Sequence, residues 1–206
     1  HPDLDGRLGG AWRIAGTETT TLVPAGSSWR YFKGTRAPSA PETAWRAAAF
    51  DDSGWLVGAT PIGYGEAGLR TTLADMQGGY SGVFLRVAFD VADPTVLGAL
   101  RLSARVDDGI NVWVNGVHVA RYNLASPEVP WNGLALSAVE PTDPLPFELG
   151  DAAKLLVKGR NVLAVQLHNV SLAGSSDAFL DASLGAGPAL RSPTPGARNA
   201  AFNPQP

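Results

Sequence analysis

From residue 83 to residue 121 the chain alternates. Val83, Leu85, Val87, Phe89 and Val91 are all large and apolar, whereas Arg86 and Asp90 fall between them. Successive side chains on an extended chain point to opposite faces, so a period of two reads as a strand with one buried face. The pattern returns in Leu100, Leu102, Ala104 and Val106, with Arg101, Ser103 and Arg105 on the other parity. Ile110–Val114 and Val117–Arg121 follow, separated only by Asn115-Gly116. Asn-Gly between two β-branched runs predicts a two-residue hairpin, because a type I′ turn needs positive φ at both central positions. Residues 161–167 give a further strand after the Lys158-Gly159 turn, and residues 172–184 hold a last one. Helix starts are confined to two short stretches, 43–49 and 151–156. Many strands joined by Gly- and Pro-rich turns predict an all-β fold, a β-sandwich with very little helix.

Composition agrees and removes several classes of function. Gly 24 and Pro 16 suit a turn-rich chain of 206 residues, and charged residues make up only 17%. A formal net charge of −3 leaves no basic footprint for nucleic acid or for an anionic membrane surface. No apolar run approaches the roughly 18 residues that cross a bilayer as a helix. The chain has no cysteine, which removes thiol catalysis, cysteine-ligated zinc and disulfides together. A chain of this size can build a sufficient core without disulfides, so their absence does not set the compartment.

The ends differ from the middle. Residues 1–19 read as a Gly-rich lead-in and residues 20–186 as the folded module. Residues 187–206, with proline at 188, 193, 195, 204 and 206, read as an extended linker to a neighbouring domain.

Three groups of strings resemble the galactose-binding-domain-like jelly-roll superfamily. The opening carries Ser28-Trp29-Arg30-Tyr31-Phe32-Lys33-Gly34, Phe50-Asp51-Asp52-Ser53-Gly54-Trp55 and Gly63-Tyr64-Gly65. The centre runs from Val106-Asp107-Asp108-Gly109 through Asn115-Gly116 to Arg121-Tyr122-Asn123. The close is Gly159-Arg160-Asn161-Val162-Leu163-Ala164-Val165-Gln166-Leu167-His168-Asn169, followed by Ser175-Ser176-Asp177. The resemblance implies a carbohydrate-binding-module-like accessory β-jelly roll of a large, multidomain, bacterial extracellular protein. It also implies polysaccharide or oligosaccharide and neighbouring domains as partners, a monomer, and secretion or display at the cell surface. One structural calcium often accompanies such modules, and Asp51, Asp52 and Asp177 are the expected ligands. Hard carboxylate oxygens on loops suit that ion, while a turn in which an Asp caps its own backbone is the competing account.

The binding residues expected from the strings and from residue chemistry are Trp113, Arg121, Tyr122, Asn123, Trp131, His168 and Asn169. A flat aromatic ring matches the apolar face of a pyranose. Tyr122 and Trp131 flank or lie in the long non-alternating segment 122–146, where loops carry function. Trp113 shares the parity of Asn111 and Asn115, which points it out of the core. Arg121, Asn123, His168 and Asn169 would offer donors and acceptors to sugar hydroxyls if their loops meet at one rim, or would instead satisfy loop backbone atoms. No nucleophile elbow, zinc-protease helix or phosphate loop stands in its required context. Asp107 and Asp108, being adjacent on an extended chain, point to opposite faces and cannot flank one glycosidic bond. The chain is therefore expected to be non-catalytic, with a structural spacer or protein-interaction β-sandwich as the alternative to sugar binding.

Overall fold

A computed structural model describes residues 19–140 and 143–189. Nearly all of the expected lead-in and most of the expected linker lie outside the described residues.

Among the described residues there are twelve strands: β1 (Thr20–Val23), β2 (Ser28–Lys33), β3 (Leu56–Ala59), β4 (Ile62–Tyr64), β5 (Thr71–Thr72), β6 (Gly82–Val91), β7 (Leu97–Asp107), β8 (Gly109–Val114), β9 (Val117–Tyr122), β10 (Leu145–Asp151), β11 (Gly159–His168) and β12 (Ala178–Pro188). One short helix, α1 (Ala152–Leu155), starts where the Asp151 carboxylate accepts the Ala153 amide at 3.1 Å. The expected helix at 43–49 is a single 3-10 turn, Ala44–Arg46.

The strands form two sheets of six strands. The first runs β10-β7-β12-β4-β5, with β1 also on β12, and the second runs β3-β2-β6-β11-β8-β9. Pairing is antiparallel except for the two-residue contact of β4 with β5. This is the all-β sandwich read from the alternation. The Asn115-Gly116 hairpin joins β8 to β9, and both residues have positive φ, 50° and 86°.

Between the sheets, Val83, Leu85, Ile110, Val112, Leu163 and Val165 meet Leu100, Leu102, Val106, Leu180 and Leu184 in one buried cluster. Truncating any of these leucines to alanine should cost about 2–5 kcal/mol.

The outer face of the second sheet is also covered, which alternation alone did not foretell. Residues 35–55 and 123–140 fold over it and build a second cluster of Trp45, Trp55, Phe84, Trp113 and Ala164. Arg86, on the outward parity of β6, is only 1% exposed there. Its guanidinium is held by the Asp52 carboxylate at 2.7 Å and by the Trp45, Ala47 and Phe50 carbonyls. Arg86 therefore anchors the loops where they cover this face, while Asp90 farther along β6 stays exposed.

Candidate functional site

Strand register brings acidic residues to one end of the first sheet. Ala178 pairs with Tyr64, and Phe179 pairs with Asp107. Asp177 therefore precedes the start of β12, Asp107 closes β7 beside it, and Glu66 lies two residues beyond the end of β4. Glu140 joins them from the long β9–β10 loop. One carboxylate oxygen from each of Glu66, Asp107, Glu140 and Asp177 lies within 4.8 Å of all the others.

The approach of the Glu66 loop depends on Gly65. Its φ is +76°, and a Cβ there would stand 2.2 Å from the Ser176 carbonyl oxygen and 2.8 Å from the Asp177 Cα. Only glycine tolerates both the backbone and the contact.

Electrostatics at the cluster are unusual. Asp107 is 1% exposed and its Oδ2 has no hydrogen-bond partner. Burial, then repulsion from Asp108, Asp177 and Glu140, pushes its carboxyl well above the ordinary range. Glu66 and Asp177 are half-buried and Glu140 is exposed, so the group opens to solvent on one side. Carboxylate oxygens gathered this closely suit a hard cation and can hold a metal ion.

Asp108 works on the neighbouring loops. Its Oδ1 accepts the Val139 amide at 2.7 Å and its Oδ2 accepts the Val170 amide at 2.6 Å. Asn123, at φ 52°, donates to the Asp108 carbonyl at 3.2 Å and to the Ser137 carbonyl at 2.6 Å. Asn169 donates to the Tyr64 hydroxyl and to the Asp177 carbonyl, both at 2.9 Å. The loops after β9 and after β11 thus meet at one rim, and these amides are spent on holding it together.

The other expected residues are dispersed. Trp113 points away from the core, but the Arg46 guanidinium covers its ring at 4.2 Å and it is 1% exposed. Tyr122 is half-buried against the inter-sheet core and stacks edge-on with Phe147, whereas Trp131 packs on the outer-face cluster. The two aromatics therefore lie on opposite sides of the second sheet and do not make one stacking platform. Arg121 is exposed and donates to the Ala125 carbonyl at 2.7 Å. His168 is fully buried, and desolvation pushes its imidazole down to about 4, which the Gly133 backbone only partly offsets.

Of the three expected metal ligands, only Asp177 belongs to the acidic group. Asp51 accepts the Ser53 amide at 2.9 Å, the turn role that competed with metal binding. Asp52 is committed to Arg86, with Arg30 at 3.5 Å as a second cation. Glu66 and Glu140 escaped the sequence reading because neither lies in a patterned stretch. The signal that could have found Glu66 was Gly63-Tyr64-Gly65 immediately before it.

The roof over the second sheet leaves an open hollow of about 190 Å³, lined among others by Glu42, Arg46, Glu128 and Gln166. Arg46 spends two nitrogens on Glu128, at 2.8 and 3.1 Å. Gln166 donates to the Val129 carbonyl at 2.8 Å, so these polar groups chiefly fasten the roof.

No protein-family model and no curated protein matches the sequence. Solved structures do resemble the fold. A calcium binding mutant of Bacteroides uniformis beta-glucuronidase 2 superposes with a TM-score of 0.54 at 20% identity, over 83% of this chain and 18% of that one. A beta-glucuronidase of an uncultured Clostridium sp. gives 0.54 at 15% identity, over 85% of this chain and 30% of that one. Bifidobacterium dentium beta-glucuronidase, complexed with coumarin-3-O-glucuronide, gives 0.52 at 15% identity, over 86% and 31%. At these identities the likeness establishes a shared β-sandwich fold, and the chain spans less than a third of each of these proteins.

Proposed function

We propose that the chain is a non-catalytic carbohydrate-binding module, an accessory jelly roll of a larger bacterial extracellular protein that acts on glycans. The observation that carries this reading is the match of nearly the whole sandwich to a minor part of several beta-glucuronidases. A unit that recurs as a fraction of glycosidase chains is suited to an accessory task, and fold likeness alone does not transfer their chemistry. The local chemistry points the same way. A glycosidase needs two carboxyl groups facing each other across a substrate cleft, about 5–9.5 Å apart. Here the Asp108 carboxylate is spent on two backbone amides, and Asp107 faces other acids.

In this reading the glycan meets the loop rim, with Arg121, Asn123 and the half-buried Trp131 as the contacting residues nearest to solvent. His168, Asn169 and Trp113 support the rim from beneath, and Tyr122 braces β9. Calcium is the cofactor of the module, and the partner domains lie elsewhere in the parent chain. No helix among the described residues is long and apolar enough to cross a membrane, and secretion of a monomeric module is part of the proposal.

The spacer reading rests on a specific observation: the amides of Asn123 and Asn169 are already engaged within the protein. A glycan microarray probed with the whole chain in calcium separates the two. Binding to one class of glycan, with no release of reducing sugar, supports the module; an array without signal supports the spacer.

A further inference from the structure

We propose that Glu66, Asp107, Glu140 and Asp177 form a calcium site that clasps three loops to the end of β7 at the rim. The clasp's role rests on the module reading above; its chemistry does not.

Two observations carry it independently. The first is geometric. Calcium binds oxygen at about 2.4 Å, so two oxygens on one ion can be at most about 4.8 Å apart. The four carboxylates satisfy that limit pairwise. The all-oxygen donor set suits a hard cation and disfavours zinc.

The second is an orphaned group. The Asp107 Oδ2 is buried, belongs to the one fully buried residue of the four, and has no hydrogen-bond partner. A buried carboxylate without a partner is costly, more so beside three other acids. The nearby carboxylate Asp108 demonstrates that the fold can supply backbone donors at this spot, since it receives two. None is directed at the Asp107 Oδ2. A cation is the partner this arrangement lacks.

The topology gives the ion its consequence. Its ligands come from the β4–β5 loop, the end of β7, the β9–β10 loop and the β11–β12 loop, which only the fold brings together. Four carboxylates provide at least four of the six to eight oxygens calcium takes, and the exposed Glu140 side leaves the remainder to water. A cation bound there in the folded state alone stabilises the fold by mass action.

The test is calorimetric titration of calcium chloride into the whole chelator-stripped chain, paired with thermal melts in calcium and in chelator. The expected result is one site, a melting temperature higher in calcium, and a loss of calcium affinity of roughly tenfold or more in Asp107→Asn and in Glu140→Gln, at least the loss seen when an outer partner is removed. Asp107→Asn should also melt higher than the wild type in chelator, because the orphaned charge is gone. Glu140 is exposed, so its variant retains the fold. No binding heat with identical melts would overturn the proposal, as would wild-type affinity in both variants. Neither result depends on a glycan, so failure of the site and failure of sugar binding are read separately.

Discussion

Asp107 and Asp108 are neighbours in sequence, both nearly completely buried, and their carboxylates have opposite fates. Asp108 accepts backbone amides from two loops, whereas the Oδ2 of Asp107 accepts nothing. One carboxylate fastens the loops that form the rim, and the other belongs to the acidic group at the end of the first sheet.

Substituting these two residues should have opposite effects. Asp108→Ala leaves the Val139 and Val170 amides unsatisfied, at a cost of about 2–5 kcal/mol in urea unfolding. Asp107→Asn should leave the cation-free protein as stable as the wild type or more so. Equal losses in both variants would contradict the division of labour.

Asp52 gives a prediction that separates ion pairing from metal binding. Asp52→Asn leaves Arg86 buried and short of its carboxylate, at a cost of roughly 3–5 kcal/mol. The increase in melting temperature on adding calcium should nevertheless survive. A calcium response abolished in this variant would return the metal to the Asp51-Asp52 loop.

Gly65→Ala should be disproportionately damaging for a single methyl group. The added carbon meets the Ser176 carbonyl and the Asp177 backbone. With the positive φ, the loss should exceed about 1 kcal/mol and calcium affinity should fall as Glu66 is pushed away. A variant with unaltered melts and titration would show that the Glu66 loop is not held as described.

His168 makes stability depend on pH. Its folded-state value, about 4, lies below the ordinary 6.5. The unfolded chain therefore binds a proton that the folded chain does not between those values, and stability falls as pH drops through that window. The contribution is full above about pH 6.5 and amounts to at most about 3 kcal/mol. NMR titration of the imidazole should find it neutral down to about pH 4; a midpoint near 6.5 would refute its burial.

Strand positions were legible because period two and Asn-Gly are local signals. β6, β7, β8, β9 and β11 follow the alternating runs, and the hairpin falls at Asn115-Gly116. Burial on the outer face was not legible. Parity tells which way Trp113 and Arg86 point, but only the folded loops determine that both are covered. The acidic group was half legible. Asp177 stood out in a recognisable string, whereas Glu66 and Glu140 join it through strand register and loop path, which no local pattern encodes. Asp52 is claimed by Arg86, distant in sequence, whereas Asp51 accepts the Ser53 amide two residues on.

Native affinity electrophoresis of the whole chain through gels containing soluble polysaccharides, run in calcium and again in chelator, tests the central claim most directly. Retardation by one class of polymer is expected, weakened when chelator loosens the rim, and weakened further in Arg121→Ala and Trp131→Ala. Unchanged mobility in every polymer, in both conditions, would contradict carbohydrate binding and leave a β-sandwich spacer.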